Sequence, residues 1–246
     1  MRIFLGGAGE RERCFSRLAQ SRGHTIVTEQ PFDAAVLALP VSQLPPQASA
    51  WPEGARVVCG RMDDESAALA QERRFCLLPV LSDAAYTQEN ALLTAEGALY
   101  AAMGAQKRAI AGSNCLVIGY GRIGTALTGM LRALGAHVTV AARRAESRAA
   151  AGGEAVDMQG LADALPRADV VFNTVPAQLL NESLLRRARK DALLIELASP
   201  PYGMDLDAAK ALGLRCLLES GVPGRYCPES AAQALLNYVE RRCGHV

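Results

Sequence analysis

The feature that most constrains this chain is a glycine turn set between two apolar strands. Cys115-Leu116-Val117-Ile118 is a short apolar run of the length and branching expected of a strand buried on both faces. It leads directly into Gly119-Tyr120-Gly121-Arg122-Ile123-Gly124, the spacing GxGxxG. Thr125 to Leu134 then carries apolar residues at helical intervals, Gly135 follows as a C-terminal cap, and His137 to Ala141 reads as a second strand. Strand, glycine turn, helix and strand within about 30 residues make the βαβ unit that holds a dinucleotide.

Each glycine has a physical role in such a unit. Gly119 permits the tight turn off the strand, Gly121 lets a pyrophosphate approach bare backbone, and Gly124 lets the helix pack close to the sheet. The phosphates are expected on the free N–H groups of the helix that starts near Arg122 and Ile123. An NAD site places a carboxylate about 20 residues past the first glycine, on the ribose hydroxyls. Here the second strand ends in Ala141-Ala142-Arg143-Arg144, and no acid occurs until Glu146. Two guanidiniums suit a 2′-phosphate, so the expected cofactor is NADP rather than NAD, against the alternative of a solvated basic turn.

Half of the 246 residues are hydrophobic and the formal net charge is +1, which points away from disorder and from a basic nucleic-acid surface. No apolar run is long enough to span a bilayer, and MRIFLGGAGERER reads as a first strand and turn, so a soluble cytoplasmic chain is expected. The seven cysteines show no CxxC spacing. Cys59, Cys76, Cys115 and Cys216 fall within predicted strands as small apolar fillers, no metal site is expected, and loop residue Cys227 is the one to test for reactivity. His24, His137 and His245 each read as structural, none in a polar cluster with a carboxylate.

In chain order, Arg2 to Leu5, Thr25 to Val27, Ala34 to Leu39, Arg56 to Cys59 and Phe75 to Val80 read as strands around helices at Glu10 to Ser21 and Asp63 to Glu72, with a loop over Ser42 to Gly54. The Gly6 to Gly9 turn reads as a plain βα connection. Thr87 to Ala111 reads as one long helix carrying the chain between domains. The expected fold is therefore α/β: two Rossmann-like domains, each a doubly wound parallel sheet, joined by that helix. Residues 1–88 would form a substrate-side domain and 89–246 the NAD(P)-binding domain, with the C-terminal helix at 228–246 a candidate to pack back on the first. Strands at Asp169 to Val175, Ala192 to Ala198 and Arg215 to Leu218, with helices at Leu161 to Leu165, Glu182 to Arg189, Asp205 to Leu212 and Glu229 to Arg242, complete the second domain. Ligands lie beyond the carboxyl ends of such strands, which selects Asn173, Thr174, Val175 and Pro176, the loop Ser199 to Gly203, and Gly221 to Arg225 as walls of the nicotinamide site.

VIGYGRIG, LGAHVTVAARR, FNTVP, ELASPPYGMD and GVPGRYCPESAAQALLNYV, with ENALLTAEGAL upstream, resemble the family of dipicolinate synthase A subunits, in order from about Asn90 to Val239. The resemblance implies a two-domain protein that works with a flavoprotein-like second polypeptide, the B subunit of dipicolinate synthase. It implies an NADP-linked dehydrogenation of dihydrodipicolinate, acting on a CH–CH group, to give the dipicolinate of bacterial endospores. The family loop LASKPGG reads LASPPYG here, so Pro200 stands in place of a lysine and Tyr202 in place of a glycine. A small dicarboxylate substrate calls for cationic and hydrogen-bonding groups, and Arg225, Ser199, Thr94 and Asn90 are the candidates. A homodimer is a further possibility. Two other readings stand beside this one: a non-catalytic NADP(H)-binding subunit, and a D-2-hydroxyacid dehydrogenase relative. The latter chemistry uses a general acid–base histidine, and no histidine occurs between His137 and His245.

Overall fold

The computed structural model describes residues 1–244, so His245 lies outside the described residues. The chain forms two compact units, one of Met1–Leu93 together with the chain from Pro223, the other of Thr94–Val222.

The first unit contains β1 (Arg2–Leu5), α1 (Glu10–Ser21), β2 (Thr25–Val27), β3 (Ala34–Val36), β4 (Val41–Ser42), β5 (Arg56–Cys59), β6 (Arg61–Met62), α2 (Asp64–Glu72) and β7 (Cys76–Pro79). Its five-stranded sheet runs β2-β1-β3-β5-β7 with every pair parallel, the doubly wound 2-1-3-4-5 plan when its strands are counted in chain order. Parity along the strands sends side chains to opposite faces. Ile3, Val36 and Val58 pack with Phe15 of α1 on one side, while Phe4, Ala35 and Val57 pack with Trp51 and Phe75 on the other. The predicted loop over Ser42 to Gly54 holds a 3-10 turn, Pro46–Ala50, because Ala48 and Trp51 are drawn into that second core. At the Gly6 to Gly9 turn the Glu12 carboxylate lies against Gly9 and pairs with buried Arg11 at 2.8 Å, so the turn is filled from within.

The long helix α3 is Ala84–Ala105, shifted toward the N-terminus from the 87–111 expected. Asp83 starts it, accepting the Tyr86 N–H at 2.8 Å. It stops where Gln106-Lys107-Arg108 offers no apolar side chain to bury, and the Arg215 guanidinium donates to the Ala105 carbonyl at its end. No helix among the described residues is long and apolar enough to cross a membrane.

The second unit continues with β8 (Asn114–Ile118), α4 (Arg122–Ala133), β9 (His137–Ala141), α5 (Ala145–Ala150), β10 (Ala155–Val156), α6 (Leu161–Ala164), β11 (Val170–Asn173), α7 (Glu182–Leu185), β12 (Leu193–Glu196), α8 (Leu206–Ala211) and β13 (Arg215–Leu218). Its sheet runs β10-β9-β8-β11-β12-β13, parallel throughout, the 3-2-1-4-5-6 order of a dinucleotide-binding sheet. Two doubly wound parallel sheets were expected, and both are present. The short elements α5 and β10 escape a reading of periodicity because neither is long enough to show one. The predicted helix Glu182 to Arg189 is a single turn, and Gly221 to Arg225 is partly helical, in α9 (Val222–Tyr226). The closing helix α10 (Pro228–Cys243) packs on α1 in the first unit, with Leu235, Leu236 and Tyr238 buried beside Phe15.

Two side-chain expectations change. His24 does meet a carboxylate: its Nε2 lies 3.0 Å from Glu240, which also pairs with Arg22 at 2.6 Å. The partner stands at the far end of the sequence, where local spacing gives no sign of it. Of the strand cysteines, Cys76 is exposed on edge strand β7. Burial pushes the Cys115 thiol up to about 12 and the Cys216 thiol to about 11, so both are protonated fillers.

Asp83 gives a stability test with a defined pH sign. The Tyr86 N–H, and after it Arg241 at 3.1 Å, hold its carboxyl below the ordinary value against partial desolvation. A lowered folded pKa stabilises above the unfolded value of about 3.9 and is lost as pH falls through the folded one. Asp83→Ala is expected to cost about 1 kcal/mol at pH 7, measured by urea unfolding. The gap to the parent should close steadily as pH drops below about 3.9.

Candidate functional site

The order of the second sheet reverses between β8 and β11, and the glycine turn sits at that point. The Ile118 carbonyl accepts both the Thr174 N–H and the Thr174 hydroxyl, each at 2.9 Å, and the Gly119 N–H donates to Ala141 at 2.8 Å. These bonds fix the ends of β8, β9 and β11 in one place. Gly119 has φ +97, and a β-carbon there would run into Thr174 Oγ1 and stand 2.7 Å from Val175. A β-carbon on Gly124 would run into the Gly119 carbonyl oxygen. The first and third glycines are thus locked into each other. Gly121 differs: a β-carbon there would meet no atom within 4 Å.

Gly121 is the N-cap of α4 and brings no side-chain cap, while its carbonyl takes the first helical bond, from Thr125 at 2.8 Å. The N–H groups of Arg122, Ile123 and Gly124 therefore have no intrahelical acceptor and head an uncapped twelve-residue helix. Open space above bare backbone with free N–H groups fits a pyrophosphate.

At the end of β9, Arg143 and Arg144 are exposed, and Arg144 is the N-cap of α5. A third arginine shapes this corner. Arg148 donates to the carbonyls of Ala142 at 2.9 Å and Arg143 at 2.8 Å, bracing the backbone from which the two exposed guanidiniums project. Tyr120 reaches from the glycine turn to the Ala150 carbonyl at 3.2 Å. Both contacts join residues 5 to 30 apart in sequence and have no motif of their own.

Beyond β11 and β12 the site is organised by a residue not singled out from sequence. Glu196 is 0 % exposed, and its carboxylate accepts four N–H groups. Asn173 Nδ2 at 2.7 Å and the Ala198 amide at 2.9 Å meet Oε1; the Gly203 amide at 3.0 Å and the Met204 amide at 2.8 Å meet Oε2. Burial pushes this carboxyl up from its usual range, and the four donors pull against it. The signal was available: an acid closing the otherwise apolar strand Leu-Leu-Ile-Glu is costly to bury unless donors surround it. Asn173 is itself 0 % exposed, its side chain spent on Glu196 and Val175. Thr174 and Val175 are half-buried, Pro176 and Ser199 exposed, and Gly221 half-buried with φ +61.

The remaining candidates divide between the units. Asn90, half-buried, and Arg225, exposed with its guanidinium 5.0 Å from the Tyr226 ring centre, belong to the first. Thr94, 6 % exposed and one turn after Asn90 on α3, belongs with Ser199 to the second.

Residues 84–202 match the family model of the D-isomer specific 2-hydroxyacid dehydrogenase NAD binding domain. The dipicolinate synthase A subunit of Bacillus subtilis is 32% identical over 155 residues, 62% of this chain and 52% of that protein. The structure of the dipicolinate synthase A subunit from Bacillus halodurans superposes with a TM-score of 0.89 at 23% identity, covering 100% of this chain and 98% of that one. The chain is thus similar to dipicolinate synthase A subunits in sequence over 62% of its length and in fold over its whole length. Its sequence match spans about half the length of the curated relative. D-lactate dehydrogenase from Escherichia coli, at 12% identity and a TM-score of 0.64, shares the fold over 100% of this chain and 98% of its own. Members of this family and of the hydroxyacid dehydrogenases thus use one architecture, and the second unit here is a nicotinamide-dinucleotide-binding domain of the dehydrogenase kind.

Gly121 and Gly124 should separate in experiment. Gly124→Ala is expected to lower stability by about 1–3 kcal/mol, because its methyl has only backbone to displace. Gly121→Val should cost no more than about 1 kcal/mol, the difference between Gly and Val at an N-cap, yet abolish nucleotide binding. Thermal unfolding and nucleotide titration of both variants check the pair.

Proposed function

We propose that this chain is the A subunit of a dipicolinate synthase, an NADP-linked oxidoreductase that dehydrogenates dihydrodipicolinate with the help of a flavoprotein-like second subunit. The observation that carries the reading is the glycine turn itself, sterically closed at Gly119 and Gly124 and open at Gly121. The curated relative supplies the substrate class. In this reading the amides of Arg122, Ile123 and Gly124 hold the pyrophosphate, and Arg143 and Arg144 take the 2′-phosphate.

Bound there, the oxidised dinucleotide supplies a two-electron hydride acceptor. The protein's own part is to bind, orient and neutralise. Converting a dihydropyridine to a pyridine releases a hydride and a proton, and aromaticity drives the change, so the chain needs placement more than a strong base. We assign Arg225 to a substrate carboxylate, in place of the lysine that Pro200 replaces, and Ser199, Thr94 and Asn90 as hydrogen-bonding partners of the substrate.

Charge-assisted hydrogen bonds contribute about 1.5–3 kcal/mol each. Replacing both Arg143 and Arg144 by Ala should therefore weaken NADPH by at least tenfold or so while changing NADH by less than about threefold. Equal losses for the two nucleotides would remove the phosphate role. Turnover of dihydrodipicolinate, assayed with and without the second subunit, tests the reaction: Arg225→Ala should raise KM strongly, and an unchanged KM would remove the substrate assignment.

A further inference from the structure

We infer that Glu196 is a positioning residue: clamped between Asn173 and the Gly203–Met204 amides, it fixes the two turns that flank the nicotinamide half of a bound dinucleotide. The inference rests on the dinucleotide reading above and goes beyond it in naming what holds the reactive end in place.

The geometry is specific. In a sheet of this order the adenosine half lies over β9 and β10 and the nicotinamide half over the strands on the other side of the switch point. Glu196 ends β12 and Asn173 ends β11, and the two are joined by the 2.7 Å bond. From that pair three segments are tied: the turn 173–176, through the Asn173 bonds to Val175; the start of the next loop, at the Ala198 amide; and the end of that loop, at Gly203 and Met204. Ser199 and Tyr202 lie between those last two anchor points. Tyr202 adopts φ +62, a left-handed conformation that a side chain takes only under constraint, and its N–H returns to the Ser199 carbonyl at 3.1 Å. Gly203 presses on the neighbouring turn so closely that a β-carbon there would stand 2.5 Å from the Val175 carbonyl oxygen.

The chemistry of the clamp requires a carboxylate. Four N–H groups converge on two oxygens, and a carboxylate is an acceptor only. A glutamine of the same shape turns one oxygen into an NH2 that points at two existing donors, so one half of the clamp must open. A side chain needed only to fill the interior would tolerate that exchange at the bound nucleotide, and a positioning residue would not.

The test compares two ligands on the full chain. NADPH reads both halves of the site, whereas adenosine 2′,5′-bisphosphate lacks the nicotinamide half. Glu196→Gln is expected to weaken NADPH by about tenfold and to reduce the fluorescence enhancement of the bound nicotinamide, with the bisphosphate within about twofold of the parent. Proportional loss of both ligands, or no loss of either, overturns the inference. Asn173→Ala removes one of the four donors and is the second variant. If Glu196→Gln does not fold, Asn173→Ala must show the same selective loss, and if neither folds the clamp is a stability element and the inference falls. A parent protein that binds neither ligand removes the dinucleotide reading and this inference with it. A parent that binds both, beside an unaffected Glu196→Gln, removes the inference alone.

Discussion

The structure of the second unit depends on one close approach, that of Gly119 and Gly124 to each other and to Thr174. Three strands end there, joined at the turn by bonds to the Ile118 and Ala141 carbonyls. Because the contact is made by backbone and by one threonine hydroxyl, it leaves no room for a β-carbon at two of the three glycines. The third glycine is left facing open space, at the head of a helix whose first amides have nothing to bond. Steric closure on one side of the turn therefore leaves open backbone on the other. Local sequence, packing and function meet in six residues.

The two ends of the site are held by different physics. At the β9 corner, Arg148 satisfies two backbone carbonyls and leaves Arg143 and Arg144 on an exposed, braced segment. This suits recognition of a permanent anion, where charge matters and burial would be costly. Past β11 and β12 the arrangement is inverted, with the charge inside and backbone amides around it. Glu196 is compensated by four N–H dipoles, each a hydrogen bond of 2.7–3.0 Å. An unpartnered carboxylate at that depth would destabilise the fold; a fully partnered one fixes the loops it touches.

Much of this was legible in the sequence because it follows from periodicity and from glycine. The strand at residues 115–118, the turn and α4 are set by a run of branched apolar residues, a fixed glycine spacing and a helical stripe, all local. The exposed basic corner after β9 was legible from Arg143 and Arg144 themselves and from the carboxylate missing there. Arg148 was not, because its bonds to nearby carbonyls follow no motif, and the His24–Glu240 pair and the Asn173 partner of Glu196 were not, because only the fold brings them near. The limits of α3 were misplaced because its start is set by the Asp83 cap and its end by the polar Gln106-Lys107-Arg108, where an arginine from β13 takes the terminal Ala105 carbonyl. The Gly6 to Gly9 turn was legible as the plain βα connection it is, and Glu12, which fills it, lies only a few residues away.

The claim beneath the whole account is that the bare amides of Arg122, Ile123 and Gly124 receive a pyrophosphate. Backbone 15N–1H spectra of the protein titrated with NADPH measure this directly. Those three amides are expected to show the largest downfield movements, saturating with the ligand. If they stay fixed while NADPH reaches millimolar concentration, whatever happens elsewhere in the spectrum, the pyrophosphate does not sit on these amides.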